Sequence, residues 1–145
     1  MRAVVVAGLA AVGLVSGGFL FVACDGAEEP SNIVYPDVRA AMEGDPAALD
    51  AYKGETVRWT GQVAEARRQF GDDYAEEGVL LVDMDAPRDA TGQDPEPDVS
   101  LLIPPSRVPE LTPGQPVTFV GVIRETERGA RGERLLRLEL KSLEE

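Results

Sequence analysis

The side chains able to do chemistry are few, and the missing ones narrow the field first. The 145-residue chain has no histidine, one cysteine, 14 Lys and Arg and 26 Asp and Glu, for a net charge of −12. Without imidazole there is no Ser-His-Asp relay, no histidine metal ligand and no histidine-linked haem. Carboxylates are plentiful, but no spacing singles out a pair for acid–base work. We therefore expect no enzyme, no catalytic residue, no metal and no cofactor. The run "DMDAPRDATGQDPEPD", residues 83–98, gathers Asp83, Asp85, Asp89, Asp94, Glu96 and Asp98. Clustered oxygens can hold Ca²⁺, but this spacing departs from an EF-hand loop and three prolines interrupt it. It reads as a solvated connection, with calcium the alternative. Two further groups combine arginine with an aromatic or with one another: Arg67, Arg68 and Phe70, then Arg124, Arg128 and Arg131. Arginine beside an aromatic is a platform for bases or sugars. The plainer reading is arginine paired with neighbouring acids on a wet surface.

The cysteine has a specific context. Met1-Arg2 is a minimal basic start, and residues 3–23 are apolar or small, with one serine and four glycines. The end of that run, "FVAC", resembles the lipobox of bacterial lipoproteins, where a small residue precedes a cysteine whose thiol is acylated. Phe21 stands where leucine is usual, with Leu20 one place earlier. The resemblance implies a signal peptide at residues 1–23, lipidation at Cys24, a tether at 24–34 and a domain at 35–145. The membrane is then a partner through acylated Cys24. About 20 apolar residues can also span a bilayer, so an uncleaved transmembrane anchor is one alternative; plain cleavage is another. Each puts the domain outside the cytoplasm, because Arg2 keeps the start inside. Asp25 resembles an inner-membrane retention signal of some bacteria. No second cysteine remains to form a disulfide.

These residues need elements to position them. Tyr35 to Tyr52 reads as helix in two pieces: Val38, Ala41 and Met42 share one face, and Asp45-Pro46 restarts the helix as N-cap and first position. Ala48, Leu49 and Tyr52 would face the core, and Gly54 ends the run. The rest alternates with the two-residue period of strands. Val57, Trp59, Gly61 and Val63 mark the first, and "GVLLVDM", Gly78 to Met84, a second that is apolar enough to be central. Val99, Leu101 and Ile103 mark a third, stopped by Pro104-Pro105. Val117, Phe119, Gly121 and Ile123 mark a fourth, and Leu136, Leu138 and Leu140 a fifth. Five strands without a long intervening helix suggest a small barrel.

One pattern occurs twice. "GETVRWTGQV", Gly54 to Val63, is echoed by "GQPVTFVGVI", Gly114 to Ile123. Glycine inside a strand lets it bend and lets a neighbour approach closely. Trp59 and Phe119 stand two residues before Gly61 and Gly121, on the same face, where a ring fills the interior. In the five-stranded oligonucleotide/oligosaccharide-binding barrel, the OB-fold, strands one and four lie side by side and curve strongly. The fold class expected is mainly β: an OB-fold barrel preceded by a short helical segment and an N-terminal apolar signal or anchor helix. Over roughly residues 37–142, "AYKGETVRWTGQV" and "LTPGQPVTFVGVI" resemble the small bacterial envelope proteins grouped as tRNA-anticodon-binding-like OB-fold domains. That likeness concerns fold, not ligand.

OB barrels bind along strands two and three, flanked by the loops after strands one and four. On this reading the loops are residues 65–78 and 124–134, with net charges of −3 and +1. The first holds Arg67, Arg68 and Phe70, the second Arg124, Arg128 and Arg131. These six are the candidate ligand-binding residues. The chain's acidity repels phosphate backbones, so no nucleic-acid partner is expected. The expected role is a lipid-anchored, extracytoplasmic binding module of the bacterial envelope for another envelope protein or a cell-wall sugar ligand. The alternative is a structural or assembly accessory with no ligand pocket.

Overall fold

The structure, a computed structural model, describes residues 29–85 and 96–144. The signal segment, Cys24, Asp25, Asp89 and Asp94 lie outside the described residues. Five strands follow two short helices: β1 (Thr56–Phe70), β2 (Glu76–Asp83), β3 (Val99–Ile103), β4 (Pro116–Arg128) and β5 (Arg134–Glu144). They close in the order β1-β2-β3-β5-β4. The β3–β5 pair is parallel and the others are antiparallel. This is the expected OB barrel.

The repeated pattern pairs with itself. Val57 lies opposite Gly121, Trp59 opposite Phe119, and Gly61 opposite Val117. The ends match too. Gly54 N–H donates to Ile123 O (2.8 Å) and Gly114 N–H to Val63 O (2.7 Å), while Ile123 N–H donates to Glu55 O (3.0 Å) and Val63 N–H to Gln115 O (2.8 Å). Gly54 and Gly114 share a φ of 89°. Each is the third residue of a turn, closed by Glu55 N to Tyr52 O and by Gln115 N to Thr112 O. That position favours glycine because a side chain there strains the backbone. The ribbon thus has a local two-fold symmetry centred on its two rings, which meet edge to face at 6.4 Å.

Gly61 and Gly121 do different work. A Cβ on Gly61 would come within 2.5 Å of Val82 Cγ1 and 2.8 Å of Asp83 O, so the end of β2 lies directly on the bend of β1. A Cβ on Gly121 would sit 3.1 Å from Glu139 O, tight but nearly tolerable. Beyond the bend β1 changes partner: its first part, Thr56 to Gln62, pairs with β4, and its second, Gln62 to Phe70, pairs with β2 across a bulge at Val63/Glu65.

The strands run further than the alternation suggested. Residues 65–70 and 124–128, expected in loops, belong to β1 and β4, and the true connections are residues 71–75 and 129–133. Most side chains of these ladder ends are polar and meet water, so the two-residue signal fades. Proline stops β3 as expected, and a 3-10 helix, Pro105–Glu110, follows.

The helical segment divides as expected into α1 (Tyr35–Glu43) and α2 (Pro46–Asp50), the second capped by Asp45 Oδ1 accepting from Ala47 N at 2.9 Å. Val38, Ala41, Met42 and Leu49 are buried. Ala48 is exposed, contrary to expectation, because so short a helix turns only Leu49 inward. Tyr35 packs edge-on against Trp59 at 5.4 Å, and the Trp59 indole donates to Ile33 O at 2.8 Å. Ser31 bridges to Val57, so residues 31–34 are held on the start of β1.

Overpacking a tight site costs about 1–3 kcal/mol. Gly61→Ala should therefore fall near the top of that range in urea unfolding, and Gly121→Ala at or below the bottom. Equal losses would contradict the separate roles of the two glycines.

Candidate functional site

The polar ends of the ladders build a groove. The β1–β2 and β4–β5 hairpins stand on either side of the outer face of β2 and β3, and between them lies a groove of about 480 Å³. Its floor follows from strand parity. Leu80 and Val82 point into the barrel, so Val79 and Leu81 point out. They are nevertheless buried, at 5% and 7% exposure, because Leu135 of β5 packs onto them with Ala64. Ser100 lies between Leu81 and Arg137 in the ladder, small and buried. Beside it Leu102 is 39% exposed, an apolar residue on a face where β3 would ordinarily present a polar one. Arg67, Phe70 and Asp72 form one wall, and Glu127, Arg128 and Ala130 the other.

Only half of the six expected residues meet here. Arg67, Phe70 and Arg128 line the groove. Arg68, the neighbour of Arg67 on a strand, takes the opposite face and pairs with Glu76 at 3.3 Å. Arg124 is on the same strand as Arg128 but roughly 13 Å along it, at about 3.3 Å per residue, and lines a shallower cleft beyond Leu102. Arg131, at the β4–β5 tip, faces a cleft of about 400 Å³ shared with Tyr35, Arg39, Asp98 and Arg134. Sequence reasoning missed Arg137 and Leu102, which line both the groove and the neighbouring cleft, and Ser100. For Leu102 the available signal was an apolar residue out of step with the alternation of Val99, Leu101 and Ile103.

Most of the arginines are matched by acids. Arg67 reaches Glu65 at 3.2 Å, and Arg137 reaches Glu125 at 3.3 Å. Arg124 Nε donates to Glu139 Oε2 at 2.9 Å, and Lys141 Nζ donates to Glu139 Oε1 at 2.9 Å. These partners hold the Glu139 carboxyl down at about 2. Among the described residues the guanidinium groups of Arg128 and Arg131 pair with no carboxylate, although the Arg131 backbone N–H donates to Glu133 Oε2 at 2.8 Å. The groove therefore offers Arg128 as its open cation on one wall and Phe70, which is 74% exposed, on the other.

Four members of the acid run, Asp83, Asp85, Glu96 and Asp98, fall among the described residues. Among the described residues no three acids sit where they could hold a metal. Asp83 and Asp98 are turned to the backbone instead: Asp83 Oδ1 accepts from Asp85 N (2.9 Å), its Oδ2 from Glu96 N (3.1 Å), and Asp98 Oδ2 from Met84 N (2.8 Å). These bonds draw together the two ends of the connection between β2 and β3. Burial raises the Asp98 carboxyl above its usual range, and burial together with Asp98 raises the Tyr35 phenol.

No protein-family model and no curated protein matches the chain. Solved structures do match. One, from Klebsiella pneumoniae subsp. pneumoniae, carries the description "putative nucleic acid-binding lipoprotein"; it is 15% identical, with 72% of this chain and 85% of that chain covered and a TM-score of 0.49.

The Glu139 pairs have a definite pH signature. A carboxyl held low in the fold stabilises it above the unfolded pKa, and that contribution is lost as pH falls through the folded value. Glu139→Gln should lower the unfolding midpoint at pH 7, and the gap to the parent should close as pH drops from 4.5 towards 2. A gap that persists unchanged at pH 2 would show that Glu139 acts through packing, not charge.

Proposed function

We propose that the chain is a non-catalytic binding module of the bacterial envelope, held outside the cytoplasm by lipid on Cys24. Its ligand lies in the groove between the β1–β2 and β4–β5 hairpins. The observation that carries this reading is the exposure of Leu102, Phe70 and Arg128 on one concave face, where the fold could have placed short polar side chains. An exposed apolar residue alone means little, but one in a groove beside an exposed ring and an open arginine marks a recognition surface. An envelope protein or a cell-wall glycan both fit these dimensions. A nucleic acid fits the charge poorly: Asp72, Glu77 and Glu127 line the groove together with Arg67, Arg128 and Arg137, and the chain as a whole is at −12. A spacer role without a ligand is the alternative, and it gives Leu102 no reason to be exposed.

A photo-reactive benzoylphenylalanine in place of Leu102, in living cells, tests the groove. It should yield a discrete adduct that the same group at Lys53, on the turn before β1, does not. Digestion of the adduct by protease or by muramidase then separates protein from glycan. No adduct at Leu102, or equal adducts at both positions, would favour the spacer.

A further inference from the structure

The two hairpins that frame the groove are closed by the same turn, and one of them departs from its rule. In the β4–β5 hairpin Gly129 N donates to Glu133 O at 2.8 Å and Gly132 N to Gly129 O at 3.0 Å. In the β1–β2 hairpin Gly71 N donates to Ala75 O at 2.9 Å and Tyr74 N to Gly71 O at 2.9 Å. The fourth residue of each turn is left-handed. Gly132 has φ 86°, as expected of glycine; Tyr74 has φ 61°. A bulky side chain in that region is unusual and strained. Nothing in the fold compensates through packing, since the Tyr74 ring is 86% exposed. Phe70, 74% exposed, closes the strand on the same tip. Two large rings are held in water, one of them at a position where glycine is the better folding choice.

The surrounding charge says what they face. The tip reads "FGDDYAEE", residues 70–77, with two aromatics, four acids and no base; Arg68 of β1 takes Glu76, which leaves Asp72, Asp73 and Glu77 without a basic partner among the described residues. Anionic lipid and phosphate backbones are repelled by it, and a neutral sugar, though its hydroxyls can donate to the carboxylates, brings no charge to balance them. A guanidinium uses both features: it stacks on an aromatic face and accepts carboxylates as bidentate partners. Phe70 and Asp72 also line the groove, so a segment lying there would leave across this tip.

We propose that the β1–β2 tip is a docking site for an arginine-bearing segment of a protein partner, clasped between Phe70 and Tyr74 with the acids of the tip as counter-charges. This rests on the groove being the binding face, and it selects protein over glycan as the occupant.

The test uses the full chain in nanodiscs of zwitterionic lipid. The probes are a fluorescent (Gly-Arg-Ser)₄ peptide, its citrulline counterpart, chitotetraose and a dT₁₂ oligonucleotide. The arginine peptide should bind, and the citrulline peptide about tenfold more weakly. Tyr74→Gly should weaken the arginine peptide by about fivefold or more, a loss that only a minority of interface residues reach. The same variant should unfold at or above the temperature of the parent, because the left-handed strain is relieved. Tyr74→Gly leaves the charge unchanged, so a general attraction of cations to an acidic protein would survive it. Unaltered affinity in Tyr74→Gly, equal binding of the citrulline peptide, or a Tyr74-dependent affinity for chitotetraose or dT₁₂ instead would each overturn the proposal. The Leu102 adduct reports on the groove without involving Tyr74, so failure at the tip is told apart from failure of the binding-module reading.

Discussion

The contact on which the rest of the structure depends is the antiparallel pairing of one sequence pattern with its own repeat. Trp59 and Phe119 meet at the centre of the β1–β4 ribbon, both buried, at 6% and 0% exposure. A pair of large rings fills the barrel interior from one wall and removes several hundred Å² of apolar surface from water, taking about 150–250 Å² for each ring. The strand must bend just beyond its ring to stay closed around that filling. Gly61 supplies the bend in β1 and at the same time the space for β2 to cross, which its near contact with Asp83 O requires. A glycine at the same place in β4 costs that strand little and keeps the ribbon symmetrical.

Closure then determines where function can sit. Because β1 leaves β4 for β2 at its midpoint, its far end emerges from the barrel as one side of a projecting hairpin. β4 does the same with β5. Leu135 leans the second hairpin onto Val79 and Leu81, across the small Ser100, and so brings both hairpins to one face. The groove is a consequence of barrel closure plus one small outward apolar cluster. The chain before the barrel docks at Val57, near the start of β1, while the aromatic tip follows its other end. The longest strand therefore separates the end where residues 31–34 dock from the end proposed to meet a partner.

Most of this architecture was legible in the residues. The two-residue period located all five strands, and the doubled glycine pattern indicated which two are neighbours. Asp45-Pro46 marked the second helix, and Pro104-Pro105 the end of β3. What escaped was the projecting part of the hairpins. "EARRQF" and "RETER" are largely polar because most of their side chains meet water, and a reading built on burial takes them for loop. From that one error followed the scatter of the candidate arginines: on strands, Arg67 and Arg68 must face opposite ways, which a loop would not demand. Leu102 and Tyr74 were hidden for a different reason. Each departs from a rule, the one of alternation and the other of turn chemistry, and the rule must be located in space before the departure is visible.

The claim that both hairpins stand over a single face has a direct measurement in methyl-resolved nuclear Overhauser spectra of the full chain. The account predicts cross-peaks from the Leu135 methyls to those of both Val79 and Leu81. Leu135 methyls that show neither contact, with the β4–β5 hairpin free of β2, would contradict it.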